Sequence, residues 1–251
     1  MLSFAWEELL IMFVALALGG LFKGMTGLGL PLITIPVMAT FLGVERAVLI
    51  MLIPSSSLNA YQVWMHRSEW ANLPEWPRLL LAGIPGAALG ATVLYLANEK
   101  FLMTSLAVWI AAYVLLRFLH PTFSLSRIAR LRWSPLVGAA AAALQSATGI
   151  SAPIIAPYAD SLGLKPRAYV LAVCAPFGAF AGAHLLIVST AGLYSGELAT
   201  QGLVAVLPAV MFIPVGVYLR RFISPQFFDV LIRLTLLVMA GRLVYGAWFS
   251  S

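Results

Sequence analysis

Apolar positions along this chain come in blocks separated by short polar breaks. Two short runs come first, about 9–23 and 28–42, then three longer ones, about 44–64, 77–97 and 101–119. A basic stretch from His120 to Trp133 interrupts the pattern. Short runs return at about 134–146 and 150–160, followed by long ones at about 168–190, 200–220 and 227–248. A run of about 20 apolar residues, rising 1.5 Å per residue as a helix, matches the roughly 30 Å hydrocarbon layer of a bilayer. The short arms would reach only about 20–22 Å. The pattern therefore predicts six membrane-spanning helices and two re-entrant hairpins, or ten spans if the short arms cross fully.

The order of runs repeats, and individual residues repeat with it. Thr26-Gly27-Leu28-Gly29-Leu30-Pro31 stands 122 positions before Thr148-Gly149-Ile150-Ser151-Ala152-Pro153, with Thr, Gly and Pro in register. Pro54 faces Pro176 at the same shift, and Arg46, Gly90 and Phe101 face Arg167, Gly216 and Phe227 at slightly different ones. Several ordered matches predict an internal duplication.

Lys and Arg in the loops orient membrane helices, because they favour the cytoplasmic side. Arg117, Arg127, Arg130 and Arg132 mark the central stretch as cytoplasmic, and Lys165, Arg167, Arg220 and Arg221 mark later inside loops. The loop near 190–200 carries only Glu197 and reads as outside. Each hairpin must then begin and end on one side, the first outside and the second inside. Arg46 falls outside, against the rule. The predicted fold is an all-α polytopic membrane protein of two inverted-topology repeats. Each repeat is a short re-entrant or broken helical hairpin plus three transmembrane helices. The chain forms a single transmembrane domain over 1–251, with repeat one at about 8–119, a cytoplasmic linker at about 120–133 and repeat two at about 134–249. Both termini are expected in the periplasm of a bacterial inner membrane.

Composition supports lipid as the solvent. Of 251 residues, 62% are hydrophobic and 10% charged, against roughly 25% charged in a soluble domain. The net charge of +6 lies between apolar blocks rather than on a polar face, so it anchors helices and does not point to nucleic acid. The single Cys174 sits in an apolar run and implies neither a disulfide nor zinc. Glu7 and Glu8 stand where a secretory signal carries Lys or Arg, so the chain is expected to be complete. No nucleotide-binding Gly-x-x-x-x-Gly-Lys loop, nucleophile–base pair or metal-ligand spacing is present. Neither an enzyme nor a cofactor is expected.

The candidate chemistry lies at the hairpin tips. Thr26, Gly27 and Gly29, and Thr148, Gly149 and Ser151, interrupt apolar runs with small or polar residues. Pro31 and Pro153 then open the return arms, because proline needs no N–H in a first helical turn. Each tip should present a helix N-terminus, whose free amides and partial positive charge suit an anion. Two such ends meeting at the midplane would make one shared site. Lys23 precedes the first tip, as an intramembrane cation or a partner for Asp160, and Gln145 takes the matching place. Ser55, Ser56, Ser57 and Asn59 follow Pro54 as polar walls, or as ordinary helix–helix bonds. Arg46 and Arg167 end the hairpins as interface markers or gates, and His184 is a candidate proton relay. Asp229 and Arg233 should pair at i, i+4, and Trp6, Trp64, Trp70, Trp76, Trp133 and Trp248 should form an aromatic belt.

Lys23-Gly-Met-Thr-Gly-Leu-Gly-Leu-Pro-Leu-Ile33, Gln145-Ser-Ala-Thr-Gly-Ile-Ser-Ala-Pro153 and the glycine-rich 83–90 stretch resemble the TauE/SafE sulfite exporter family, the TSUP permeases. The resemblance covers nearly the whole chain. It implies a secondary carrier of small sulfur-containing anions such as sulfite or organosulfonates, with both Thr-Gly tips lining the path. The commonest pattern has more glycines after the first tip, where Leu30-Pro31 stands here, so the substrate within the class stays open. The remaining readings are a channel-like anion conductor and a membrane subunit serving a separate sulfur-processing enzyme. The expected partners are a small anion and the lipid bilayer, with a homodimer allowed.

Overall fold

The computed structural model describes residues 6–27, 30–119, 125–222 and 225–249. Within them all regular structure is helical, and this is a polytopic membrane protein. The helices are α1 (Trp6–Thr26), α2 (Leu30–Leu42), α3 (Val44–Met65), α4 (Trp76–Leu96), α5 (Glu99–Leu119), α6 (Arg127–Thr148), α7 (Ala152–Asp160), α8 (Pro166–Thr190), α9 (Gly196–Leu219) and α10 (Pro225–Phe249). A 3-10 turn, Arg67–Asn72, joins α3 to α4. By length and apolar composition alone α1, α4, α5, α8 and α9 are able to cross a membrane. Large side chains such as Leu96, Leu186 and Leu207 are exposed on them. Such a surface is unsuited to water and suited to acyl chains.

The arms of each hairpin are unequal, which corrects the expectation of four similar short arms. α1 and α6 have 21 and 22 residues, long enough to cross, while α2 and α7 have 13 and 9. Charged residues inside the end turns account for the difference. Glu7 and Glu8 occupy the first turn of α1, where carboxylates favour the helix dipole. Arg127, Arg130 and Arg132 lie within α6, whose first turn is capped by the Ser126 hydroxyl accepting from the Ala129 amide at 3.3 Å. An arginine in an end turn breaks an apolar run without breaking a helix.

Each long arm ends on a glycine with positive φ, Gly27 at 75° and Gly149 at 79°. That left-handed conformation suits glycine and turns the chain back. The Gly27 amide donates to the Lys23 carbonyl at 2.8 Å and the Gly149 amide to the Gln145 carbonyl at 2.6 Å, so both tips close alike. The hairpin ends are tied too. Arg46 at the start of α3 holds Glu8 at the start of α1 with bonds of 2.8 and 2.7 Å. The Tyr158 hydroxyl in α7 donates to the Arg130 carbonyl in α6 at 3.2 Å, and the Leu125 amide donates to the Ser161 carbonyl.

Packing follows one exchange. α1 lies along α9 and α6 along α4, while α3 packs on α8 and α5 on α10. Replacing each helix by the one five places on in the chain maps these pairs onto one another. In lipid, helices associate by close van der Waals fit and small residues, because the acyl chains are as apolar as leucine. A Cβ on Gly20 or Gly24 of α1 would run into the Ala209 or Ile213 carbonyl of α9. A Cβ on Gly86 or Gly90 of α4 would run into the Ala139 or Ala143 carbonyl of α6. Both contacts are small-x-x-x-small stripes; of these glycines only Gly90 marks the repeat in the sequence.

Prolines inside helices leave carbonyls to be answered from elsewhere. Pro176 has no N–H for the Ala172 carbonyl one turn back in α8. The Trp76 indole N–H donates to that oxygen at 3.1 Å and its ring stacks on Tyr158, with centroids 5.7 Å apart. Trp76 is fully buried and does not belong to the interfacial belt, unlike the exposed Trp6, Trp64, Trp133 and Trp248; Trp70 is half-buried.

Candidate functional site

The polar residues around the first tip surround one cavity of about 550 Å³. Lys23, Thr26 and Gly27 line it together with Gln62, Asp160, Tyr169 and Arg220. α1 delivers Lys23 four residues before the glycine that ends the helix, and the side chain is only 3% exposed. Its ammonium donates to the Asn59 side-chain oxygen at 2.9 Å. Asn59 is held in turn by its own amide, which donates to the Ser55 carbonyl at 2.8 Å. Gly178 of α8 leaves room for this residue, since a side chain there would meet the Asn59 Cβ at 3.1 Å. Among the described residues no carboxylate lies within ion-pairing distance of Lys23, Asp160 included. A buried cation answered only by a neutral amide is costly in lipid and retains its positive field.

The second tip lies elsewhere. Gln145, Gly149 and Ser151 line a narrow crevice of about 10 Å³ with Pro31, Leu32 and Phe177. The Gln145 side chain donates to the Phe177 carbonyl at 2.9 Å and accepts from the Ser151 hydroxyl. Lys23 and Gln145, at matching places, thus each reach the stretch that follows the proline of α3 or α8. Thr148 is buried, and its hydroxyl donates to the Leu144 carbonyl, as that of Thr26 does to Phe22. The backbone amides of Ile150, Ser151 and Ala152 donate to no acceptor among the described residues, although all three residues are buried. The single shared pocket expected from the sequence is therefore two concavities. Pro31 and Leu32, at the start of α2, belong to the lining of the second one.

A third cavity, of about 450 Å³, opens at the other end of the bundle between the starts of α3, α5 and α9. α3 shows the separation: Arg46 and Leu49 line this cavity and Gln62 lines the first. From Leu49 to Gln62 the helix rises about 20 Å. Arg46 is no free cation, since Glu8 grips it bidentately and Glu197 approaches to 3.7 Å. Glu99 accepts from the Val44 amide at 2.7 Å and caps α3.

The remaining candidates scatter. Ser56 and Ser57 bond back to the Leu52 and Ile53 carbonyls of their own helix, and Ser55 is buried beside Asn59. Arg167 is exposed in the first turn of α8 and does not line the Lys23 cavity. His184 is 1% exposed, and neither ring nitrogen meets a partner among the described residues. Gly29 and the side chains of Arg117, Arg127 and Asp229 lie outside the described residues; the Arg233 guanidinium stands 4.6 Å over the Phe118 ring. Sequence reading did not single out Gln62, Tyr169 or Arg220 as cavity walls. Each sits near a helix end, and only the fold shows which ends meet.

Among the described residues no group of His, Cys, Asp and Glu is arranged for a metal ion. A family model described as Sulfite exporter TauE/SafE matches residues 11–243, nearly the whole chain. No curated protein and no solved structure matches the chain.

Proposed function

From the premise that this chain belongs to the TauE/SafE sulfite exporter family, we propose that it carries small sulfur-containing anions across a bacterial inner membrane by alternating access. The observation that carries the reading is Lys23, a buried ammonium with no carboxylate partner among the described residues, at the wall of a large cavity. An anion entering that cavity supplies the missing countercharge and replaces its hydration with fixed donors. The narrow crevice at the second tip then forms the barrier, with the amides of Ile150, Ser151 and Ala152, which meet no acceptor among the described residues, as the next donors along the path. The cavity at the Arg46 end is the opposite vestibule.

The arrangement of helices favours a carrier over an open conductor, because the two large cavities are separated by packed side chains. Inverted repeats, one over about 8–119 and one over about 134–249, give the symmetry by which one half rocks against the other. The face bearing Arg220 and Lys165 is cytoplasmic in this reading, both termini are periplasmic, and transport is outward. Lys23, Thr26, Gly27, Gly29, Gln145, Thr148, Gly149 and Ser151 form the path, with Ser55, Ser56 and Asn59 supporting Lys23. His184 is the candidate for proton movement, and Arg46 and Arg167 mark the two ends.

Melting of purified protein in the presence of sulfite, sulfoacetate, thiosulfate and simple carboxylates tests this reading. Stabilisation by sulfur oxyanions at millimolar concentration, and not by acetate, is expected. Equal response to all four, or to none, contradicts it.

A further inference from the structure

The Lys23 cavity contains a charge that a plain anion site does not need. Asp160, the last residue of α7, lines the same wall system as Lys23 and Arg220, and it is exposed. Its carboxylate makes no hydrogen bond or ion pair among the described residues. An unpaired carboxylate beside an anion path repels the cargo it should admit. Size raises the same question. A bare sulfur oxyanion displaces a few water volumes of about 30 Å³ each, a small part of the 550 Å³. Between the charged groups the lining is apolar, with Leu164, Val170, Ile213 and Val217.

Resting on the anion-carrier reading above, we infer that the cavity recognises a zwitterion. Its sulfur oxyanion head meets Lys23, a short carbon chain lies along the apolar wall, and a primary ammonium meets Asp160. Asp160 then sets specificity while Lys23 supplies anion binding, and the two roles are separable.

The test compares binding of three probes to the full-length protein in detergent: 2-aminoethanesulfonate, ethanesulfonate and sulfoacetate. They share the sulfonate head and differ in carrying an ammonium, nothing or a carboxylate at the other end. The wild type should bind 2-aminoethanesulfonate about fivefold or more tighter than ethanesulfonate, and sulfoacetate weakest. Asp160→Asn should erase that preference and strengthen ethanesulfonate and, most of all, sulfoacetate, because the repelling charge is gone. Lys23→Ala should weaken all three. Ethanesulfonate bound as tightly as 2-aminoethanesulfonate by the wild type, or a preference that survives Asp160→Asn, overturns the inference while the anion site stands. Binding of sulfite alone, and of none of the three probes, also overturns it and leaves the anion site intact. Binding of all probes unaltered by Lys23→Ala overturns the anion site as well.

Discussion

The ammonium of Lys23 donates to the side-chain oxygen of Asn59 at 2.9 Å, linking the end of α1 to the turn that follows Pro54 in α3. This pair holds the cation in place without neutralising it. Asn59→Asp keeps the shape and adds the missing countercharge. Anion affinity should fall by about tenfold or more, with folding intact, because the cavity then presents an ion pair instead of a cation. Anion titrations of the purified variant check this, and unchanged affinity would show that the field of Lys23 is not what draws the ligand.

The first tip faces a large cavity and the second a narrow crevice. Thr26 is exposed at the large cavity, whereas Thr148 is 1% exposed. In a Cys174→Ser background, Thr26→Cys should react quickly with a membrane-impermeant thiol reagent applied from the face bearing Arg220. Thr148→Cys should react at least about tenfold more slowly, since a buried thiol is shielded from the reagent. Equal rates would mean that the two tips share one water-filled space.

Much of this arrangement was legible in the sequence, for definite reasons. The glycines at 27 and 149 stood in register because each helix end needs a left-handed residue, and both have it. Lys23 and Gln145 stood in register because each sits one turn before that glycine. The polar triplet after Pro54 was visible, but its meaning was not: two serines satisfy their own helix and only Asn59 turns to Lys23. Arm length was illegible because charged residues at helix ends look like loops. Trp76 looked interfacial, and its burial depends on a carbonyl freed by a proline 100 residues away. Long-range partners of that kind leave no local pattern.

The carbonyl of Phe177 and the hydroxyl of Ser151 meet at Gln145. Gln145→Ala leaves both groups without that partner in a dry interior and should cost about 1–2 kcal/mol of stability. The melting temperature in detergent should fall, and Ser151→Ala should lower it less. No change in Gln145→Ala would remove this side chain from the packing that closes the second tip.

The backbone of α6 passes directly over Gly90, where a Cβ would run into the Ala143 carbonyl. Gly90→Ala should therefore destabilise by about 1–3 kcal/mol, despite alanine's higher helix propensity. Gly182→Ala in α8 is the control, because a Cβ there meets nothing within 4 Å. Its melting temperature should match or exceed the parental one. Equal tolerance at both positions would contradict the close α4–α6 approach.

Tracer counterflow in vesicles reconstituted with wild type or Lys23→Ala protein tests the anion-carrier account most directly. The account predicts saturable sulfite uptake, accelerated by sulfite preloaded on the far side, for the wild type. For Lys23→Ala, at equal protein incorporation, the rate should be lower by about tenfold or more. A Lys23→Ala rate near the parental one would contradict it.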